Sequence, residues 1–335
     1  MSMPSCNDLK NLSPWSEPKN PEILFPLESY ESLLNSFGKF ESSEWLKYWL
    51  KKGGASLAFE SWPIGIKSDW IWGLGLPFLS EIENSLSKAN DRVLLGISGL
   101  PGCGKTSLGI WLEAACLELN WPLTVVSLDD FYLPAIELDK AMEGNPWGVP
   151  RGLPGSHSIE LIKEAIDNWM STGDLITPQF DKALRNGRGD RSGWRNSRPR
   201  ALIIEGWFLG CYPITDSSIE LPESNINPPI SHKEKLYRAK VQSSLSQYSS
   251  IWARCKRIWH LKSLDFSSVR DWKIEQELKM NKLRGASLQG ESLNSFIRMI
   301  QASIPHSSLI NLDSNVIAKI NSKRQIEWIG LNCNQ

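Results

Sequence analysis

Histidine is nearly absent from this chain, with four in 335 residues. None of the six cysteines (Cys6, Cys103, Cys116, Cys211, Cys255 and Cys333) lies in a CxxC pair. These two scarcities exclude the common zinc-site patterns. Net charge is absent too: 37 Lys plus Arg balance 37 Asp plus Glu. A neutral chain is not built to coat nucleic acid or an anionic membrane, although local basic clusters can still grip a phosphate or a carboxylate. The longest apolar run, Trp70 to Leu79, contains Gly and Pro and falls well short of the roughly 20 residues that a membrane span needs. The first residues hold Asp8 and Glu17 but no Arg, unlike an organelle transit peptide, and show no signal peptide. The expectation is a cytoplasmic protein with reduced thiols and neither a nucleic-acid nor a membrane partner. Oligomeric state has no signature here.

What is present suits a folded protein. Hydrophobic residues make up 41% and charged residues 22%, enough for a sizeable core. Sixteen Trp, spread from Trp15 to Trp328, read as core and helix-packing residues. The prolines among polar residues in 1–25 predict an extended, poorly ordered arm. Over about 27–90, the spacing of Phe40, Trp45, Trp49 and Leu50, and of Phe78, Ile82 and Leu86, predicts helices.

From Val93 the texture changes. Val93 to Ile97 is a continuous apolar run, as in a strand covered on both faces. A glycine turn and a helix from Lys105 to about Leu119 follow. Leu123 to Leu128, Ala201 to Ile204, Ile258 to Leu261 and Leu309 to Leu312 read as further strands. Ser158 to Ser171, His232 to Arg257 and Val269 to Leu283 read as helices. This alternation predicts an α/β fold with a mostly parallel sheet and helices on both faces; with the G-x-x-x-x-G-K-[ST] match at Gly99–Thr106 it becomes a three-layer P-loop NTPase architecture. The division is an N-terminal arm and helical extension over 1–90, then a main domain over 91–335 with a lid at about 265–300.

Gly99-Leu-Pro-Gly102-Cys-Gly104-Lys105-Thr106 fits G-x-x-x-x-G-K-[ST], directly after a strand and opening a helix. Gly99, Gly102 and Gly104 let backbone N–H groups turn inward around phosphate oxygens. The helix N-terminus adds partial positive charge. Lys105 can reach the β- and γ-phosphates, the Thr106 hydroxyl can ligate Mg²⁺, and Ser107 follows on the first helical turn. ATP and Mg²⁺ are the expected cofactors. Cys103 reads as a packing residue.

Two acidic positions complete the pattern. Ser127-Leu-Asp129-Asp130-Phe-Tyr132 puts carboxylates at the end of a strand, where such sheets bind ligands. Asp129 can accept the proton of an attacking hydroxyl or hold Mg²⁺ through water, with Asp130 in support. Leu202-Ile-Ile-Glu205-Gly-Trp207 resembles a Walker B segment in which Glu205 would bind Mg²⁺ through water beside Thr106. A GTPase is disfavoured: Asn281-Lys-Leu-Arg284 lacks the guanine-reading Asp, and Asp190-Arg-Ser-Gly193 follows no apolar strand.

Two segments rich in Gly, Arg and His read as loops that hold an anionic acceptor. One is Gly144 to Gly148 with Pro150 to His157, including Arg151 and His157; the other runs from Thr177 through Lys182 and Arg185 to Arg188, Asp190 and Arg191. A cationic helix follows, with Arg270, Lys273, Lys279, Lys282 and Arg284, which can close over phosphates and exclude water.

These blocks resemble the plant-, cyanobacterial- and fungal-type D-glycerate 3-kinases, relatives of uridine kinase, pantothenate kinase and phosphoribulokinase. The likeness is carried by Gly96 to Thr106, Ser127 to Tyr132, Arg151 to His157, Gly187-Arg-Gly-Asp-Arg191 and Glu205 to Gly210, and more weakly by Trp272, Glu277, Met280 and Phe296. The resemblance implies conversion of ATP and D-glycerate to ADP and 3-phosphoglycerate, as in photorespiratory salvage, with the Asp matching Asp129 as base. This chain has Asp271-Trp-Lys273 where the family has Arg-Trp-Arg. The alternatives are a P-loop kinase of pantothenate or a nucleoside, and a non-catalytic nucleotide-binding regulator.

Overall fold

The computed structural model describes residues 27–38, 41–63, 66, 68–87, 92–214, 226–284, 287–310 and 312–332. The arm expected over 1–25 lies outside the described residues, as does Phe40. In chain order the first helices are α1 (Leu27–Asn35), α2 (Ser42–Lys51), a π-helical segment (Asp69–Gly75) and α3 (Leu76–Leu86). Then come β1 (Val93–Gly99), α4 (Lys105–Glu118), β2 (Leu123–Ser127), α5 (Ala135–Ala141) and α6 (Ile159–Thr172). They are followed by β3 (Leu175–Asp181), β4 (Asp190–Ser197), β5 (Ala201–Gly206), α7 (His232–Leu245), α8 (Ser249–Trp252) and β6 (Arg257–Ser263). The chain closes with α9 (Ser268–Arg284), α10 (Gly290–Ala302), α11 (His306–Ile310), β7 (Val316–Ile320) and β8 (Ile326–Leu331).

Six strands form one sheet in the order β2-β5-β1-β6-β7-β8. All its pairings are parallel except β7 with β8. Every residue of β1 is buried, because helices cover both faces of the sheet. Alternate β1 residues separate the two cores. Val93, Leu95 and Ile97 pack with Ile203, Trp259 and Ala318 against α4 and the N-terminal helices. Leu94 packs with Leu202, Ile204 and Ile258 against α6, α7 and α10.

The N-terminal helices bury indoles rather than aliphatic side chains. Phe78 stacks on Trp259 at 4.5 Å, and Trp62 on Trp111 at 4.4 Å. Buried indole N–H groups need acceptors. Ser80 Oγ serves both Trp45 (2.8 Å) and Trp49 (2.9 Å), while its own hydrogen goes to Leu76 O. Trp194, exposed on β4, departs from the packing expectation.

Three element assignments differ from the sequence reading. The strand expected over Leu309 to Leu312 is replaced: Leu309 lies buried in the short helix α11, Leu312 is buried beyond it, and Asn311 lies outside the described residues. The strand lies just beyond, where Val316, Ala318 and Ile320 alternate inward. The helix expected over His232 to Arg257 opens on a Ser231–Glu234 capping box but stops at Leu245. A 3₁₀ turn and α8 follow, and Arg257 already belongs to β6. The second acceptor loop is in large part a hairpin: β3 pairs antiparallel with β4, with a bulge between Gln179 and Phe180. Pro178 within β3 masked it, since Pro in a run argues for a loop or an edge.

Candidate active site

The phosphate loop leaves the central strand β1 and ends at the first turn of α4, so its N–H groups and the helix N-terminus converge on one point. Gly102 and Gly104 have φ of 80° and 112°, conformations that a side chain resists. A Cβ on Gly102 would fall 2.6 Å from Trp272 Cβ, and one on Gly104 2.7 Å from Trp70 Cη2. Gly99, also at positive φ, is confined by Leu261 O and Cys103 Sγ. At these three positions the loop leaves no space for a side chain, so the backbone alone forms its surface. Lys105 is buried and donates to Gly99 O (2.7 Å) and Leu100 O (3.3 Å), spanning the loop. Ser107 lies half-buried on the first turn of α4.

The Thr106 hydroxyl donates to Glu205 Oε1 at 3.0 Å. Glu205 is buried at the end of β5, opposite Ile97 of β1 and Ser127 of β2. Among the described residues no three His, Cys, Asp or Glu converge as a metal cage. A hydroxyl beside one carboxylate suits Mg²⁺, which takes its other ligands from water and phosphate oxygens.

Asp129 sits in the 3₁₀ turn that follows β2. Its Oδ1 accepts from Tyr132 (2.8 Å) and its Oδ2 from Lys182 Nζ (2.6 Å). Burial alone would raise this carboxyl. The Lys182 ammonium outweighs burial and holds the carboxyl well below the usual range. Asp129 was expected both as base and as metal ligand. Each oxygen carries one hydrogen bond and keeps a lone pair for either role. Asp130 differs: burial pushes its carboxyl up to about 6, and its Oδ1 faces the Phe180 N–H of β3 at 3.4 Å.

The expected acceptor residues divide into two groups. Lys182 and His157 stand beside Asp129. The His157 ring stacks on Tyr132 at 4.5 Å, its Nδ1 lies 2.8 Å from Tyr248 Oη, and burial pulls its pKa down to about 4. The other group shapes the hairpin. Buried Arg151 donates to Gly187 O (2.7 Å) and Arg188 O (2.9 Å). Asp190 Oδ1 accepts from Ala135 N at the start of α5 and from Arg191 N. Arg191 Nε donates to Tyr132 O (3.2 Å). Arg188 and Arg185 both pair with Asp139. Asp190, expected to touch substrate, thus has its carboxylate bound to backbone.

From α9, in the region expected to form a lid, Lys273 is buried against Glu277 (2.5 Å), and its charge interacts with Lys182 and Asp129. Burial lowers its pKa despite Glu277. Sequence reasoning assigned no role to Tyr248, Asp139, Trp70 or Arg324. Tyr132 was visible within the Ser127–Tyr132 block, whereas the other four stand in no motif.

No family model matches the chain. It is 26% identical to the uncharacterized kinase mug58 of Schizosaccharomyces pombe over 215 residues, 61% of this chain and 76% of the relative. It is 29% identical to the chloroplastic D-glycerate 3-kinase of Arabidopsis thaliana over 232 residues, 64% of this chain but only 48% of that protein. Its fold is like that of a D-glycerate 3-kinase from Cryptococcus neoformans, with a TM-score of 0.63 at 23% identity, covering 76% of this chain and 96% of that one. Phosphate loop, sheet topology and sequence relatives agree: the chain has the α/β fold of P-loop kinases, and its sequence relatives are kinases, a D-glycerate 3-kinase among them.

Proposed function

We propose that the chain transfers the γ-phosphoryl group of ATP to the C3 hydroxyl of D-glycerate, giving ADP and 3-phosphoglycerate. One observation carries this reading. A carboxylate oriented by a phenol and an ammonium, Asp129 with Tyr132 and Lys182, stands at the same sheet edge as the phosphate loop and the Thr106–Glu205 pair. ATP bound with Mg²⁺ supplies the phosphoryl group. Lys105, buried under the loop, neutralises charge on the phosphate oxygens. Asp129 orients the acceptor hydroxyl and takes its proton as the new O–P bond forms and the bond to the leaving ADP oxygen breaks. The transition state is loose and the proton leaves late, so a weak, well-placed base suffices. Alignment and charge neutralisation account for most of the rate.

For the acceptor carboxylate, the cations Lys182, Lys273 and Arg151 favour a small acid. Arg188, Arg191 and His157 bound the same region, with Asp190 holding the hairpin in place. The aromatic wall of Tyr132, His157 and Phe180 is what favours the second reading, a ring-bearing acceptor such as a nucleoside. Among the described residues Cys103, Cys116, Cys211 and Cys255 are free thiols, and the proposed setting is cytoplasmic.

The test is ATP consumption by the purified chain with Mg²⁺ and D-glycerate, with identification of the phosphorylated carbon. Phosphate on C3, lost in Asp129→Asn, is the expected result. Turnover with a nucleoside or pantothenate but not with glycerate would overturn the substrate. Slow ATP turnover indifferent to every acceptor would indicate a nucleotide-binding regulator.

A further inference from the structure

Residues 27–86 carry no chemical motif, yet one of their side chains touches the phosphate loop. Trp70 lies in the π-helical segment and is 5% exposed. Its six-membered ring lies so close to Gly104 that no Cβ fits between them. Its Nε1–H donates to Arg324 O at 2.5 Å.

Arg324, in the turn between β7 and β8, passes the contact on. Its Nε–H donates to Gly102 O at 2.8 Å, its guanidinium lies over the Trp272 ring at 5.5 Å, and its Nη1 pairs with Glu275 at 2.6 Å. Trp272 donates to Ser322 O in the same turn at 2.7 Å and backs Gly102. The adjacent Asp69 accepts the Ile326 N–H at 2.7 Å, so the π-helical segment and the C-terminal hairpin are joined at two points. N-terminal, C-terminal and lid elements therefore meet on the outside of one loop.

We propose that Trp70 and Arg324 are positioning residues of the nucleotide site, through which the N-terminal helical part sets nucleotide affinity; this rests on the assignment of Gly99–Thr106 to ATP. A loop with three glycines has many conformations to lose on binding phosphate. Trp70 and Trp272 wall off two of those glycines. Arg324 fixes the Gly102 carbonyl outward. The Cys103 N–H, on the other side of that planar peptide, donates to Leu100 O at 3.2 Å and closes a turn within the loop. A preorganised cradle binds more tightly because less ordering remains to be done. Trp70 sits in a π-helical turn, a distortion that recurs at functional sites.

The experiment measures ADP binding to the full chain by calorimetry, beside KM for ATP, KM for the acceptor and Tm. Trp70→Ala and Arg324→Ala should each weaken ADP by about tenfold, and Trp70→Phe, which loses the N–H and the outer ring atoms that reach Gly104 but keeps an aromatic side chain, by about threefold or more. KM for the acceptor should stay within about twofold. The double variant should lose little more than the larger single loss, because both residues act through one contact chain. Folded variants that bind ADP like the parent, or that lose ADP and acceptor equally, would overturn the proposal. Should Trp70→Ala fail to fold, Trp70→Phe and Arg324→Ala decide. A parent chain that binds no ADP at all would sink the ATP assignment itself, and the proposal with it.

Discussion

Thr106 and Glu205 are 99 residues apart in sequence, yet the threonine hydroxyl donates to the glutamate at 3.0 Å. β1 and β5 are parallel neighbours, so the loop after one and the acid ending the other meet at the same edge. A hydroxyl and a carboxylate so placed can share one cation. Glu205→Gln keeps the shape and removes the charge. It should raise the Mg²⁺ concentration for half-maximal rate by about tenfold or more. Rate against free Mg²⁺ at saturating ATP is the measurement, and an unchanged curve would refute the role of Glu205.

Lys105 and Arg188 should fail in different ways. Lys105→Ala removes the charge under the loop and should lower kcat by roughly a hundredfold or more. Arg188→Ala should mainly raise KM for glycerate, by about tenfold. Arg188 is held by Asp139 at 2.8 Å, so Asp139→Ala should raise the same KM without touching KM for ATP. Near-normal turnover in Lys105→Ala, or an unchanged glycerate KM in Arg188→Ala, would contradict this division.

Much of this site was legible in the sequence because its parts are local. Gly99–Thr106 is one turn between a strand and a helix, and its chemistry follows from that turn alone. Asp129 and Glu205 each end an apolar run, so their position at the sheet edge could be read as well. The contacts of Arg151, Asp190 and Arg188 could not. Each is a residue type that binds anions or substrates elsewhere, and only the tertiary fold shows Asp190 on backbone N–H groups and Arg151 on hairpin carbonyls. Pro178 hid the hairpin itself, while the three-residue spacing of Leu309 and Leu312 suits a helix better than a strand, and Leu309 does lie in α11. Trp70 was visible only as an apolar residue, because its partner Arg324 is 254 residues away.

The Asp129–Lys182 pair makes the acid side of the rate profile depend on a lysine. Burial raises the Asp129 carboxyl and Lys182 more than reverses this, so the ionised form persists to low pH. In Lys182→Met burial acts unopposed by that charge, and the carboxyl should titrate at higher pH. The acid limb of kcat/KM should then move toward neutrality, with about a tenfold loss at pH 6 relative to pH 8. A profile parallel to that of the parent would show that Asp129 is not the titrating base.

His157 should make stability fall in acid. It is buried and neutral, with a pKa of about 4 in place of the usual 6.5. Between those values the unfolded chain binds a proton that the folded chain refuses, so stability rises with pH. The contribution is complete above about pH 6.5, declines as pH falls toward 4, and is level below that. A shift of this size corresponds to about 3 kcal/mol over the whole window. His157→Gln cannot titrate. It should be less stable than the parent at pH 7, because it disturbs the contact with Tyr248 and the stack on Tyr132. That deficit should shrink as the pH is lowered from 6.5 to 4. Denaturant unfolding of both proteins across that window gives the comparison, and two parallel curves would mean that His157 is not held neutral by the fold.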